Sequence, residues 1–372
     1  MSEGPVAPRP AGVIAALPAT VPFVGPEVIE RRTGRPFRAR LGANENAFGP
    51  SPRVVAAIAA HAGDVWTYGD SEAFELRAAL AAHLDLPRDA ITVGEGIDGL
   101  LGLVCRLYLE PGDRVVTSLG AYPTFNYHVA AQGAELVTVP YRDDREDLDA
   151  LAEAARAMPT AIVYLANPDN PMGTWWPRAA VEDFIARVPG QTLIVLDEAY
   201  GETAPKGTLP PSTLLRPNLL RFRTFSKAYG LAGMRVAYGF GEPGAIALFD
   251  RIRNHFGVNA LAQIAARAAL ADADHMRAVV DKIGDNRRAL AELVAELGLA
   301  AIPSATNFLA IDCGGAARAD AMLKALLDKG IFVRKPTVPV LDRCIRISIG
   351  RPEQMALAHA ALRAAAAETG AL

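Results

Sequence analysis

The sequence has few cysteines, no long apolar run and no excess of either charge. Its three cysteines, Cys105, Cys313 and Cys344, lie far apart in 372 residues and form no Cys-x-x-Cys pair. That spacing argues against a disulfide framework and against a metal site built on thiolates. We therefore expect inert packing cysteines and no metal ion.

The sequence also lacks a strong excess of either charge and a targeting signal. The chain has 38 basic and 41 acidic residues, a formal net charge of −3. This balance provides neither a footprint for nucleic acid nor an attraction to acidic membranes. No secretory signal pattern opens the chain, and no apolar run approaches the length of a membrane span. The expected protein is cytoplasmic and acts on small molecules.

Apolar residues, in contrast, are plentiful. They make up 51% of the chain, and the length exceeds what one core usually serves. We predict three parts: residues 1–50 as an N-terminal arm and part of a small domain, 51–265 as a large domain, and 266–372 as the small C-terminal domain. The first 35 residues are rich in proline and glycine, which is typical of an irregular arm.

Strand-like and helix-like segments alternate through the predicted large domain. The apolar runs that fit buried strands are Ile91–Val93, Arg114–Thr117, Glu135–Val139, Ala161–Leu165, Leu193–Leu196, Leu219–Phe225 and Val236–Phe240. Such alternation predicts an α/β fold with a mostly parallel, doubly wound sheet. Helical stretches over 261–298 and 353–368, with strand-like pieces between them, indicate a second α/β domain.

The most informative stretch surrounds a lysine. A strand-like run ends at Thr224, and it is followed by Ser226, by Lys227 and, eight positions later, by Arg235. A lysine that forms a Schiff base needs a lowered pKa and a fixed position, and hydroxyls with a guanidinium can hold a phosphate. An exposed Ser-Lys loop is the alternative. A P-loop is excluded because the glycines follow the lysine.

Two polar motifs lie upstream of this lysine. Asp197 ends the apolar run Leu193–Leu196, at the edge where α/β sheets bind ligands, and Tyr200 follows three residues later. A carboxylate there can keep a pyridinium nitrogen protonated, although an aspartate after a strand also commonly caps a helix. Asn170 lies in a turn-forming stretch that can aim its amide at a cofactor, or be only a proline-rich loop.

A glycine-flanked turn precedes a predicted helix near the start of the large domain. Gly94, Glu95 and Gly96 follow the strand Ile91–Val93 and open the apolar stretch Ile97–Leu109. Helix N-termini present free N–H groups and a favourable dipole to phosphate. A tight turn alone would also explain the glycines.

Together and in this order, these motifs resemble the fold-type I pyridoxal-phosphate (PLP) aminotransferases of class I/II, and within them the histidinol-phosphate aminotransferase branch. The resemblance extends from about Pro22 to Pro352. It implies a large PLP-binding domain with a mostly parallel mixed sheet flanked by helices, plus a smaller α/β domain. It also implies an obligate homodimer in which Tyr68 reaches the phosphate in the partner subunit.

The resemblance implies roles around pyridoxal 5′-phosphate. Lys227 matches the Schiff-base lysine that also moves a proton, and Asp197 matches the partner of the pyridinium nitrogen. Tyr200 and Asn170 match the pair that hydrogen-bonds the ring oxygen. Phe125 matches the aromatic that stacks on the ring, with a plain core aromatic as the alternative. The residues that match phosphate ligands are Thr224, Ser226, Arg235 and the backbone amides of Glu95 and Gly96.

Substrate contacts are also implied by the resemblance. Arg346 matches the arginine that grips the anionic group of the substrate, and Arg334 matches a second such arginine. An arginine that extends its charge to the surface is the alternative for both. Asn44 belongs to a segment that resembles the one folded over the substrate.

Several positions depart from the branch. Phe23 stands where a tyrosine often helps to bind the substrate phosphate, and His255 and Phe256 replace the usual residues of a segment donated across the dimer. The turn at 94–96 is Gly-Glu-Gly rather than a small residue before an acidic pair. These departures argue against histidinol phosphate itself, and they leave the implied cofactor chemistry unchanged.

The resulting prediction is a PLP-dependent aminotransferase that moves an amino group between a small amino donor and a keto acceptor. The paired arginines favour an amino acid or amino-phosphate with an anionic group. A decarboxylase of the threonine-phosphate type and an aromatic amino acid aminotransferase remain alternatives. A non-catalytic binding module is disfavoured because Lys227, Asp197, Tyr200, Asn170 and Arg235 occur together.

Overall fold

Helices and strands alternate along most of the chain. The computed structural model describes residues 8–15, 17 and 24–370. Within them the α-helices are α1 Gly12–Ala15, α2 Pro26–Thr33, α3 Pro52–His61, α4 Phe74–Leu84, α5 Gly96–Tyr108, α6 Pro123–Ala131, α7 Leu148–Ala157, α8 Arg178–Arg187, α9 Pro243–Ala247, α10 Ala260–Leu270, α11 Ala273–Glu296, α12 Ala316–Asp328 and α13 Pro352–Glu368. The strands are β1 Ala39–Arg40, β2 Ile91–Gly94, β3 Arg114–Ser118, β4 Glu135–Val139, β5 Ile162–Ala166, β6 Leu193–Asp197, β7 Leu219–Thr224, β8 Ala237–Gly241, β9 Ala300–Ala301, β10 Phe308–Asp312, β11 Ile331–Phe332 and β12 Cys344–Ser348.

Strands β2 to β8 form one sheet in the order β2-β8-β7-β6-β5-β3-β4. Strands β3 to β7 run parallel to one another, and β8 runs antiparallel to β7 and β2. One hydrophobic cluster packs α5 and α6 against the sheet, and another packs α7 and α8 against it. Strands β5 and β6 are buried along their whole length, as expected for parallel strands covered on both faces. The predicted α/β fold with a mostly parallel mixed sheet is confirmed.

A separate apolar cluster forms around the C-terminal elements. Strands β12, β10 and β9 make an antiparallel sheet, and β1 pairs in parallel with β11. Ala39 and Leu41 pack in this cluster with side chains of α11, α12 and α13. The N-terminal strand is therefore packed with the C-terminal part of the chain.

The helical stretch predicted over 261–298 is two helices with different partners. Helix α10 contributes Ala262 and Ala266 to a cluster that contains Val54 of α3. Helix α11 contributes Ile283 and Leu290 to the C-terminal cluster. The two helices therefore bury their apolar faces in different cores.

Three further observations concern the part of the chain that the structure describes. None of its helices is long and apolar enough to cross a membrane. The same residues contain no group of three or more His, Cys, Asp or Glu side chains that could hold a metal ion. The cysteines are buried and free, and burial raises the pKa of the Cys105 thiol to about 12, so this thiol is protonated at neutral pH.

A buried ion network lies beside the central strands. Glu198, directly after β6, accepts hydrogen bonds from Arg221 Nη2 at 2.6 Å and from Arg223 Nε at 2.9 Å. Arg221 also donates to the carbonyls of Pro210 and Pro211, and its side chain and that of Glu198 are almost fully buried. One carboxylate therefore balances two cations away from water, and removing it leaves them uncompensated.

Replacing Glu198 with glutamine should lower the free energy of unfolding by about 3–5 kcal/mol, because two guanidiniums lose their anion in the interior. Urea denaturation measures this change. Glu182→Gln is the matched control, since Glu182 pairs with Arg178 on a partly exposed face of α8 and should change stability by less than about 1 kcal/mol. Similar effects of the two substitutions would contradict the prediction.

Candidate active site

A cavity of about 780 Å³ lies at the carboxyl edge of the large sheet. Its lining includes the last residues of three parallel strands, Ala166, Asp197 and Thr224, and ligands of α/β proteins bind at this edge. The lining residues that were singled out in the sequence are Asn44, Asn170, Asp197, Tyr200, Thr224, Ser226, Lys227, Arg235, Arg334 and Arg346. The topology therefore gathers into one cavity residues that are up to about 300 positions apart.

Lys227 lies in the wall of this cavity, just beyond β7. Its Nζ donates to the carbonyl of Asn44 at 3.0 Å and lies 5.6 Å from the ring centre of Tyr200. Burial, followed by the nearby charge of Arg346, lowers the pKa of the amine to about 8. A substantial neutral fraction is therefore present near physiological pH, as a nucleophilic or proton-transferring lysine requires.

Asp197 ends β6 and is 5% exposed. Its Oδ1 accepts from the Ala199 N–H at 2.9 Å, and its Oδ2 accepts from the Tyr164 hydroxyl at 2.8 Å. Burial raises the pKa of this carboxyl to about 6, against the opposing effect of both donors. No α-helix begins directly after Asp197, because the chain there makes only a short 3₁₀ turn at Gly201–Thr203. A helix-capping role therefore does not explain the position of Asp197.

Asn44 connects several parts of the cavity. Its backbone has a φ of +55°, in the left-handed region that asparagine tolerates better than most residues. Its Nδ2 donates to Tyr200 Oη at 2.9 Å, and its carbonyl accepts from Asn307 Nδ2 at 2.9 Å as well as from Lys227. Its Oδ1 accepts from the Ser348 hydroxyl at 3.1 Å. Asn44 therefore fixes the N-terminal segment against both the lysine and the C-terminal sheet.

Two arginines line one end of the cavity. Arg334 and Arg346 are joined by backbone hydrogen bonds of 3.1 and 2.6 Å. Arg346 Nη1 donates to Asn170 Oδ1, and Arg334 Nη2 donates to the carbonyl of Val24. Within the described residues, Arg346 Nε is buried without a hydrogen-bond partner. Burial and the charge of Arg346 lower the pKa of Arg334 to about 10, so this end of the cavity favours an anion that would relieve the repulsion.

Groups that can donate hydrogen bonds to an anion lie around the start of α5. Gly96 begins this helix with a φ of +79°, and a Cβ added to it would lie 2.3 Å from Arg235 Nη2. Any side chain at position 96 would therefore displace the guanidinium. Thr224 Oγ1 donates to Ser226 Oγ at 2.9 Å. A helix N-terminus, a guanidinium and two hydroxyls are the donors that phosphate groups bind.

The aromatic predicted to stack on a cofactor ring requires a correction. Phe125 is fully buried, and its ring stacks on Tyr164 at 4.5 Å with an interplanar angle of 19°. It does not appear in the cavity wall, which instead contains Tyr122. Tyr122 directly precedes the first proline of α6, so its backbone direction differs from that of Phe125, which lies inside the helix. Its place directly before a helix-opening proline is the sequence feature that could have indicated Tyr122.

Other predicted residues lie outside the cavity wall. Tyr68 is 82% exposed, and its ring contacts that of Phe256 at 4.7 Å. His255 is also exposed, and Glu95 packs against Gly257 in the same segment. None of these residues lines the cavity of this single chain within the residues described. Phe23 lies outside the described residues.

Comparison with known proteins identifies the family. The sequence profile of the class I and II aminotransferases matches residues 39–362. Histidinol-phosphate aminotransferase 2 of Ralstonia nicotianae is 41% identical, over 89% of this chain and 90% of that protein. The structure of histidinol-phosphate aminotransferase from Sinorhizobium meliloti in complex with pyridoxal-5′-phosphate is 52% identical, with a TM-score of 0.94 over 98% of this chain and 99% of that one.

A more distant structure shares the fold alone. The L-threonine-O-3-phosphate decarboxylase of Porphyromonas gingivalis is 22% identical, with a TM-score of 0.71 over 84% of this chain and 97% of that one. Its likeness therefore does not bear on the reaction. The chain belongs to the class I and II aminotransferases, a family of PLP-dependent enzymes, and within it to the histidinol-phosphate aminotransferase branch.

Proposed function

We propose that this transaminase acts on an amino-phosphate of the histidinol-phosphate type and binds PLP through Lys227. The observation that carries the proposal is that Lys227, Asp197 and the two guanidiniums of Arg334 and Arg346 line one cavity. The paired positive charges suit a phosphate monoester. The relatives named histidinol-phosphate aminotransferase support the same substrate class.

The donor set fits the cofactor. Arg235, the N-terminus of α5 and the hydroxyls of Thr224 and Ser226 would hold its phosphate, because the bare α-carbon of Gly96 leaves room for the guanidinium. Asp197 would face the ring nitrogen, while Tyr200 and Asn170 would contact the ring oxygen. When bound, PLP acts as an electron sink that acidifies the C–H bond of the attached amino substrate.

The side chains of this chain supply the remaining chemistry. Lys227 Nζ, with a pKa near 8, can take up and return a proton near neutral pH. Arg346 would grip the substrate anion, with its guanidinium 4.9 Å from the ring centre of Phe308. Arg334 would add a second contact on the same anion. Tyr122, rather than Phe125, is the aromatic in the cavity wall available to pack on a planar ligand.

The rate at which cofactor-free protein captures added PLP should rise with pH and level off above about 8. Only the neutral amine of Lys227 is a nucleophile, and burial lowers its pKa to about 8 from an ordinary value of 10.5. Stopped-flow absorbance at a series of pH values measures the rate. A rate that keeps rising toward the ordinary lysine pKa, or one that is independent of pH, would contradict the prediction.

A screen of amino donors tests the proposed substrate. Histidinol phosphate should abolish the visible absorbance of the lysine-bound cofactor, and a keto acid should restore it. An aromatic amino acid is the comparison that addresses the departures at Phe23, His255 and Phe256. If none of the donors abolishes the absorbance, transamination is contradicted. Release of carbon dioxide from threonine phosphate without net amino transfer would instead identify a decarboxylase.

We infer that a second copy of the chain covers an exposed aromatic patch formed by Trp66, Tyr68 and Phe256. These side chains are 84%, 82% and 49% exposed, and the rings of Tyr68 and Phe256 are in contact at 4.7 Å. Exposed aromatic surface of this kind is typical of an interface. Light scattering should give a dimer.

Tyr68→Ala should weaken PLP binding by about tenfold, the loss expected for one hydrogen bond to a charged group, and Tyr68→Phe should weaken it equally. Unchanged affinity in both variants would remove Tyr68 from the cofactor site.

The predicted division of the chain forms part of the proposal. Residues 51–265 and 266–372, with the arm of residues 1–50, would form a large and a small domain. Two observations support this: Ala39 and Leu41 pack with the C-terminal cluster, and the change of cluster between α10 and α11 falls close to the predicted boundary. A cytoplasmic location remains a prediction from the sequence.

A further inference from the structure

Tyr164 makes a direct contact with the carboxylate at the centre of the cavity. It lies on β5, where it pairs with Val195 of the neighbouring strand β6, which ends at Asp197. Its hydroxyl donates to Asp197 Oδ2 at 2.8 Å. The Tyr164 side chain is fully buried within the protein, yet it belongs to the lining of the cavity. It is therefore neither a surface residue nor a remote core residue.

This hydrogen bond is one of two that hold the carboxylate. The other donor is the backbone N–H of Ala199, on Asp197 Oδ1 at 2.9 Å. Each oxygen thus has one fixed donor, and two such bonds define the plane of the carboxylate. The remaining titratable groups that interact with Asp197 are Lys227, Glu198, Glu146, Tyr122 and Tyr200.

The ring that carries the hydroxyl is itself fixed. Phe125 stacks on it at 4.5 Å, and both rings belong to the same hydrophobic cluster of the large domain. A tyrosine held in this way has little freedom to rotate its hydroxyl away from Asp197. Phe125, which does not reach the cavity wall, thereby supports a group that does.

We propose that Tyr164 is a positioning residue for this transaminase: it keeps the Asp197 carboxylate ionised and oriented toward the ring nitrogen of bound PLP. The inference rests on the proposed cofactor site. A hydroxyl donor favours the charged form of a carboxylate, so its loss raises the pKa of Asp197. The acid limb of the kcat profile then moves to higher pH, because Asp197 becomes protonated at a pH where the native enzyme is still ionised.

The test compares three PLP-loaded proteins. Tyr164→Phe removes the hydroxyl alone, and Tyr238→Phe removes another buried tyrosine hydroxyl, on β8 of the same sheet. Nitrogen NMR of ring-labelled PLP follows protonation of the ring nitrogen across a pH titration, independently of turnover. For Tyr164→Phe we expect a shifted titration and a fall in kcat of about two- to tenfold at neutral pH, with little change in KM. Tyr238→Phe should retain the native titration.

A second variant guards against a folding defect. Phe125→Leu keeps the hydroxyl and loosens the ring that carries it, so it should shift the same titration in the same direction by a smaller amount. A native titration and native kcat in both Tyr164→Phe and Phe125→Leu would overturn the proposal, as would equal shifts in Tyr164→Phe and Tyr238→Phe. A wild-type protein that binds no PLP would overturn the proposed function first, so the two failures are distinguishable.

Discussion

Replacing Lys227 with alanine should reduce kcat for transamination by at least about a thousandfold, because the variant loses both its cofactor-binding amine and its proton-transferring group. The amine lies in the cavity wall at 3.0 Å from the Asn44 carbonyl, and no other lysine of the described chain occupies that position. Steady-state kinetics with histidinol phosphate and a keto acid measure the loss. A small exogenous amine should restore part of the rate, since it can enter the space vacated by the side chain.

The control for this experiment is Lys206→Ala. Lys206 is exposed, between β6 and β7, and its replacement should leave kcat unchanged within experimental error. Retention of more than a tenth of the native kcat in Lys227→Ala would contradict the proposed role. Thermal unfolding of both variants establishes that a loss of rate does not arise from a loss of fold.

Replacing Arg346 with alanine should lower kcat/KM for a phosphorylated substrate by roughly 30-fold to several thousandfold, which corresponds to a loss of about 2–5 kcal/mol of transition-state stabilisation. Its guanidinium is buried beside Asn170, and its Nε has no hydrogen-bond partner within the described residues. A bound anion would complete that set of donors. Most of the loss should fall on KM, because the contact is made in the bound substrate and in the transition state alike.

Comparison with Arg334→Ala separates the two arginines. Arg334 is tied to the carbonyl of Val24, so its removal should affect a phosphorylated substrate more than one with a neutral tail, and less than removal of Arg346 does. Arg363→Ala is the surface control, since Arg363 pairs with Glu296 in an exposed ion pair. Equal, small losses with every substrate in Arg346→Ala would remove it from the binding site.

Much of the large domain was predictable from local sequence. The strand-like runs at Ala161–Leu165 and Leu193–Leu196 coincide with β5 and β6 to within one residue at each end, because buried parallel strands need short, continuous apolar segments. The start of α3 also follows from local sequence: Pro52 opens the helix, and Ser51 before it accepts a hydrogen bond from the Val54 N–H at 3.3 Å. These features depend on neighbours within a few residues.

One expectation failed and another was incomplete where the answer depends on side-chain direction or on distant packing. Phe125 was expected in the cavity and lies in the core, while Tyr122 takes its place. The helical stretches predicted over 261–298 are present as α10 and α11, but the sequence did not indicate that the two helices face different clusters. Apolar periodicity indicates that a face is buried, and it does not indicate against which partner.

By itself the sequence determined which chemical groups this protein has: a lysine beyond a strand, a carboxylate at the end of another, and arginines that can hold anions. The tertiary structure alone decided their partners. Lys227 bonds to Asn44 across 183 positions, Arg346 to Asn170 across 176, and Asp197 to Tyr164 across 33. Such contacts depend on the order of strands in the sheet and on the direction of each side chain, which no local pattern specifies. The pKa of Lys227 follows from the same cause, because burial in the assembled cavity lowers it.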